Sequence, residues 1–387
     1  MRILIELTYY RPHTSGLTIY TERLAKALVR RGHHVTVLTS QYNRNLPNSE
    51  LIDGVRIIRA PVLKRISKGV IMPTFGILAS SLVLQHDAIS LHLPQLDAAG
   101  LALRGRLFHK PTIITYHCDL QMPPGIISWT ANQAVHLMNH LAARFTHRIV
   151  TYTQDYADHS RFLKRYSHKV KVIPPPIELP QVDRKAIIDF NTRNNFNKKK
   201  PVIGLAARFA SEKGIEVFLN SLDHVLTVFP DCLVWFAGPY EKIIGEENYL
   251  KKLLPEIKRF EQKGYWKFLG TLDREEMACF YPNLDVLVVP SLNSTESFGL
   301  VQIEAMMNRV PVVASDLPGV RQPIKLYKMG KLFPIGDSSA LAHSLIEILK
   351  KPLQEKSWKQ ILQHIYSPDT VAEQYERLIL EIQQEIY

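Results

Sequence analysis

Nowhere in the 387 residues does an apolar run reach the length of about 18 that a membrane-crossing helix needs, which excludes a helical transmembrane protein. Cysteine is scarce. Cys118, Cys232 and Cys279 are odd in number, far apart and in no metal-ligand spacing, so they fit inert thiols in a reduced cytosol rather than a disulfide framework. Acid is the minority charge, with 36 Asp and Glu against 48 Lys and Arg and a formal net charge of +12. That surplus favours anionic partners, whether nucleotide, phospholipid or nucleic acid, and its sign does not choose among them. It concentrates in the first half, at Lys64, Arg65 and Lys68, at Arg104, Arg106 and Lys110, and at Arg161, Lys164, Arg165, Lys169 and Lys171. No internal repeat or low-complexity tract is present. The N-terminus, Met-Arg-Ile-Leu-Ile-Glu-Leu, reads as a core strand at once, without a separate apolar segment and cleavage site, so a cytoplasmic protein is expected.

Apolar residues at 46% and charged residues at 22% are an ordinary globular mix, and the length calls for two cores. Apolar β-branched runs alternate with amphipathic helical stretches: Arg2–Leu7, a helix over Ile19–Arg31 closed by Gly32, then Val35–Thr39, Val55–Arg59, Ala88–Leu91 and Pro111–Thr115. A second series follows Pro174-Pro175-Pro176 and the polar run Arg193–Lys200, with strands at Pro201–Leu205, Leu233–Ala237, Tyr265–Leu269, Val286–Val289 and Val310–Ala314. This rhythm predicts α/β architecture: two Rossmann-like, doubly wound domains, residues 1–178 and 179–367, with a central cleft. Residues 368–387 carry Val371, Tyr375, Leu378, Ile379 and Ile382 at helical spacing and are expected to pack back toward the first domain.

In open α/β sheets ligands sit beyond the carboxyl ends of strands, so the loops after strands hold the candidates. After Val289 the chain runs Pro290-Ser-Leu-Asn-Ser-Thr-Glu296-Ser-Phe298-Gly299-Leu300 into a helix over Leu300–Asn308 that contains Glu304. Amides of Phe298, Gly299 and Leu300 at that helix start suit phosphate oxygens. Glu296 and Glu304 can both address one ligand, although a helix cap and a surface ion pair are the plain alternatives. After Leu205 come Arg208 and Lys213, a guanidinium fork and a point charge that together suit a departing diphosphate.

The two segments together resemble glycosyltransferase family 4, also called glycosyl transferases group 1, of the GT-B superfamily. Glu296 through Glu304 is similar to its E-x7-E motif, Arg208 with Lys213 to its Arg and Lys motif, and Phe268-Leu-Gly270 and Val312–Gly319 to neighbouring signatures. The resemblance covers most of residues 201–320. It implies a GT-B fold and a retaining hexosyltransferase that needs no metal. Arg208 and Lys213 would bind the donor diphosphate, Glu304 the ribose, Glu296 the hexose, and the amides of Phe298, Gly299 and Leu300 the phosphate and sugar. The loop containing Leu272 would line the nucleobase. In the first half, which would bind the acceptor, Ser15-Gly16 stands where the family usually has paired glycines, so Gly16 alone is carried over. His117, in Thr115-Tyr116-His117-Cys118-Asp119, matches a histidine at the sugar end, where it would contact the hexose and help position the acceptor. No Asp-x-Asp pair is present.

The resemblance favours a UDP-hexose donor, with GDP-mannose next. The acceptor loops Gln41–Ile52, Lys64–Phe75 and Gln121–Trp129 leave the acceptor open, lipid-linked or saccharide. The mixed basic and apolar Lys64–Phe75 suits an anionic membrane surface, hence a peripheral enzyme of glycolipid or cell-envelope polysaccharide synthesis on the inner face. Three alternatives compete: a GT-B nucleotide-sugar 2-epimerase, a glycosidase using Glu296 and Glu304, and a non-catalytic nucleotide-sugar-binding protein.

Overall fold

The computed structural model describes all residues except 67–68, 121–125, 242, 244, 352–357 and 387. The chain forms two compact units, Met1–Ile177 with Ile365–Tyr387, and Glu178–His364. It therefore crosses between them after Ile177 and after His364, against the 178 and 367 read from the sequence.

The first unit contains β1 (Arg2–Glu6), β2 (His34–Gln41), β3 (Ser49–Ile52), β4 (Val55–Pro61), β5 (Lys64–Ile66), β6 (Gly69–Ile71), β7 (Ala88–Leu93), β8 (Thr112–Tyr116), β9 (Arg148–Thr151) and β10 (Val170–Val172). Its main sheet has the order β10-β9-β8-β7-β1-β2-β4-β3. All pairs in it are parallel except β3 with β4. The second unit contains β11 (Val202–Ala206), β12 (Leu233–Ala237), β13 (Trp266–Gly270), β14 (Val286–Val289), β15 (Val312–Ser315) and β16 (Gly330–Phe333), in the order β13-β12-β11-β14-β15-β16. Helices cover both faces of a parallel sheet, which is why the central strands are buried along their length and read as continuous apolar runs. The strands that sequence patterning missed, β3, β9, β10 and β16 with the β5–β6 hairpin, have four residues or fewer. β10 is an edge strand carrying Lys171 and exposed Val172, so it has no apolar run to show.

Each sheet reverses its winding once, between β1 and β7 in the first unit and between β11 and β14 in the second. Such a switch point opens a crevice at the strands' carboxyl ends, and the loops there decide what binds.

The helix Pro368–Ile386 belongs to the first unit and buries Val371, Tyr375, Leu378, Ile379 and Ile382, the spacing of a single apolar stripe. It packs on the helix Gly16–Arg30. Tyr375 and Tyr20 join hydroxyls at 2.8 Å, and Arg31 pairs with Glu376 at 2.6 Å.

Two residues of the basic clusters are fold-forming rather than free for an anionic surface. Lys169 donates to the carbonyls of Ala143, Arg144 and Thr146 at 2.7–3.0 Å, satisfying the end of the helix Ile126–Phe145. Arg104 donates to Ser80 Oγ and to the carbonyls of Gly100 and Gly76, stapling neighbouring helices.

Candidate active site

The second unit's switch point assembles a cation, a carboxylate and a helix amide. From β11 the chain passes Arg208 and a 3-10 turn, Ser211–Lys213, to Gly214, whose φ of 67° is left-handed. A Cβ there would lie 1.9 Å from the Pro290 carbonyl, so the Lys213 loop and the end of β14 approach more closely than any side chain permits. That approach brings Lys213 Nζ to 2.6 Å from one oxygen of Glu296. The other Glu296 oxygen accepts from the Gly299 amide at 3.0 Å, immediately before the helix Leu300–Met307. Gly299 has a φ of 76°, again a glycine conformation. An anion at that helix start is favoured by the dipole, and the protein's own carboxylate takes the place.

Sequence reasoning expected Lys213 and the Gly299 amide to face diphosphate directly and Glu296 to face sugar; the structure binds the three to one another. Arg208 ion-pairs with Glu212, four residues on, and not with either glutamate of the motif. Both cations thus carry an intraprotein partner.

Glu304 lies eight residues beyond Glu296 and one layer deeper, 7% exposed. Its carboxylate accepts from the hydroxyl of fully buried Tyr281 at 2.6 Å. Phe298 is buried, and its carbonyl accepts from Gln302 Nε2 at 2.7 Å. The same amide donates to the Val320 carbonyl at 2.9 Å, tying in the loop after β15. Leu272, half-buried, follows Gly270 at the end of β13 and precedes the capping box of Asp273 and Glu276 that starts the helix Arg274–Phe280.

In the first unit, Ser15 caps the helix that starts at Gly16 and accepts from the Thr18 amide at 3.2 Å. A Cβ on Gly16 would meet no atom within 4 Å, so this glycine is not demanded by the fold's own packing. His117, at the end of β8, is 7% exposed, and both ring nitrogens are engaged: Nδ1 with the Tyr152 hydroxyl, Nε2 with His92 Nδ1 at 2.8 Å. Tyr20 packs edge-on to its ring at 5.0 Å. Burial pushes His117 well below the usual histidine range and His92 down to about 3, so both rings are neutral at physiological pH. His117 therefore arrives as a fixed, neutral group and not as a base with an available proton site.

Two groupings escaped the sequence. Behind the β1–β7 switch point, Glu6, 1% exposed, accepts from Gln95 Nε2, and burial with the nearby Asp97 raises its carboxyl well above the usual range. Burial also raises Asp97 to about 6. A carboxylate inside the apolar run Arg2–Leu7 was the available signal. At the same unit's loops, Tyr9, His13 and Tyr42 contact one another with ring centroids 5.0–5.8 Å apart, and the Arg65 guanidinium lies 5.5 Å from the Tyr9 ring. Of the acceptor loops read from the sequence, Ser67 and Lys68 and residues 121–125 lie outside the described residues.

Comparisons with known proteins identify the family and the fold. The model for glycosyl transferases group 1 matches residues 187–364, and the glycosyl transferase 4-like domain matches residues 15–176. A phosphatidyl-myo-inositol mannosyltransferase of Mycolicibacterium smegmatis is 24% identical over 354 residues, 90% of this chain and 85% of its own. An uncharacterized glycosyltransferase of Methanocaldococcus jannaschii is 26% identical over 341 residues, 84% of this chain and 83% of its own. Among solved structures, Anabaena HepE in complex with UDP superposes with a TM-score of 0.75 at 18% identity, over 98% of this chain and all of that one. Sucrose-phosphate synthase of Thermosynechococcus elongatus gives 0.74 at 19% identity, over 99% of each chain. The fold is GT-B, and the chain is a glycosyltransferase that belongs to the glycosyl transferases group 1 family, glycosyltransferase family 4.

Proposed function

We propose that the protein transfers a hexosyl group from a nucleotide sugar, a UDP-hexose first among donors, to an acceptor hydroxyl with retention of configuration and without a metal ion. The observation that carries this reading is the Lys213–Glu296–Gly299 constellation at the switch point. A cation and a helix amide already converge on one anionic group there, and a diphosphate presents the same chemistry with more oxygens. On binding, the diphosphate takes Lys213, Arg208 and the amides of Phe298, Gly299 and Leu300. Glu296 then turns to the hexose hydroxyls, Glu304 holds the ribose, and Leu272 borders the base. Charge developing on the leaving diphosphate is met by fixed cations and dipoles, which is the work a metal performs in other designs.

His117 serves as a neutral positioning contact for the hexose and acceptor, and Gly16 leaves room for phosphate or acceptor beside its backbone. The Tyr9, His13 and Tyr42 rings with Arg65 suit an acceptor that combines a ring to stack on with an anionic group. A lipid-linked or saccharide acceptor in glycolipid or cell-envelope polysaccharide synthesis fits that chemistry and the name of the mycobacterial relative. Exposed Leu63 and Ile71 beside Lys64 and Arg65 support contact with an anionic membrane surface at the cytoplasmic face.

Calorimetry of EDTA-treated protein against UDP, GDP and ADP tests the donor half of this reading: one nucleotide binds, and Lys213→Ala abolishes it. Release of nucleoside diphosphate only when acceptor is present separates transfer from epimerisation. No binding to anionic vesicles at low salt removes the membrane contact and leaves the transferase.

A further inference from the structure

We infer that Tyr281 is a positioning residue for the donor nucleoside: its hydroxyl sets the orientation of the Glu304 carboxylate and so determines how strongly the enzyme demands an intact ribose. The inference rests on the assignment of Glu304 to the ribose under the proposed function. A phenol donating to a carboxylate at 2.6 Å is in the short, charge-assisted range, and both groups are buried, where such a bond has little competition from water. Tyr281 cannot relax easily. It opens the short 3-10 segment Tyr281–Asn283, and Asn283 Nδ2 pins that segment to the carbonyls of Cys279 and Ile187. On the other side the Glu304 backbone is held by Asn308 Nδ2, which donates to its carbonyl at 2.8 Å. Carboxylate and phenol are therefore held from two rigid elements, the helix Leu300–Met307 and the turn that follows the helix Arg274–Phe280.

That second element has a further consequence for specificity. The helix Arg274–Phe280 begins at the capping box that directly follows Leu272 and ends directly before Tyr281. One short helix thus carries the loop proposed to border the base at its start and the residue that orients the ribose carboxylate at its end. Base and ribose recognition are built on a single rigid support, so an error at either end is an error of nucleoside placement rather than of phosphate binding.

Calorimetry with UDP and with 2′,3′-dideoxy-UDP, on wild type, Tyr281→Phe, Glu304→Gln and the double variant, tests this. Wild type is expected to prefer UDP by about tenfold or more, the loss typical of a site whose buried polar group is left unpaired. Tyr281→Phe should cut that preference about fivefold while leaving dideoxy-UDP affinity unchanged, and adding it to Glu304→Gln should change nothing further, because the two act as one unit. A Tyr281→Phe variant that keeps the full preference, or that weakens both nucleotides equally, overturns the positioning role and leaves the Glu304 assignment standing. A wild type that binds both nucleotides equally overturns the ribose assignment itself, and the inference with it.

Discussion

Lys213 and Glu296, 83 positions apart in sequence, form an ion pair of 2.6 Å that also holds the amide of Gly299. Under the proposed function, that carboxylate stands where an incoming diphosphate would bind. It is therefore both an expected sugar ligand and a competitor of the phosphates.

Removing the charge but not the shape of that competitor separates the two roles. Glu296→Gln should bind UDP and inorganic pyrophosphate about three- to tenfold more tightly, the scale of a partly buried ion pair, while transfer from the sugar donor falls. Lys213→Ala should weaken both ligands by tenfold or more. Calorimetry checks both, and equal or weaker UDP binding by Glu296→Gln contradicts the competition.

The histidine pair predicts an acid dependence of stability. His92 titrates near 3 in the folded protein and near 6.5 when unfolded, so between those values the unfolded state binds the extra proton and stability falls as pH drops below 6.5. The contribution is about 2 kcal/mol at pH 5 relative to pH 8. His92→Asn, which does not titrate, should be the less stable protein at pH 8 and close that gap by a similar amount at pH 5. Urea denaturation at the two pH values reads the difference, and a constant gap refutes it.

Asp97 has the opposite sign. Its carboxyl is raised from 3.8 to about 6 by burial, so the folded state holds the proton more tightly, and the cost of keeping it ionised is full above pH 6 and fades toward pH 4. Asp97→Asn should gain on the order of 2 kcal/mol over wild type at pH 8, with that gain shrinking as pH falls from 6 to 4. The same denaturation series measures it, and a gain that grows toward acid would sink the assignment.

The C-terminal helix should be indispensable to the first unit. The Tyr375 hydroxyl is fully buried and bonds to Tyr20 at 2.8 Å and to Thr115 Oγ1 at 2.7 Å, two residues before His117. Tyr375→Phe leaves those partners short of one group and should cost about 1–2 kcal/mol in unfolding free energy. Ending the chain at His364 should be far worse, exposing the helix Gly16–Arg30 along the whole stripe from Val371 to Ile382. Soluble yield and thermal unfolding of the truncated protein check this.

Much of the architecture was legible because it is local. A buried parallel strand declares itself as an apolar run, and a strand, polar loop and helix start within fifteen residues placed Glu296, Gly299 and Glu304 without any knowledge of their neighbours. The same holds for Arg208 and Lys213 behind β11. Edge strands such as β10 and the short β16 stayed hidden because exposure and brevity remove the pattern.

What the sequence by itself determined is the pair of doubly wound units, the strand ends at which chemistry gathers, and the residue types available there. Only the tertiary structure decided who meets whom: Lys213 with Glu296, Tyr281 with Glu304, His117 with His92 and Tyr152, and Tyr20 with Tyr375 across 355 positions. The reason is physical. Periodicity records which face of an element is apolar, but a polar contact between distant segments depends on strand order and loop approach, and no local pattern encodes either.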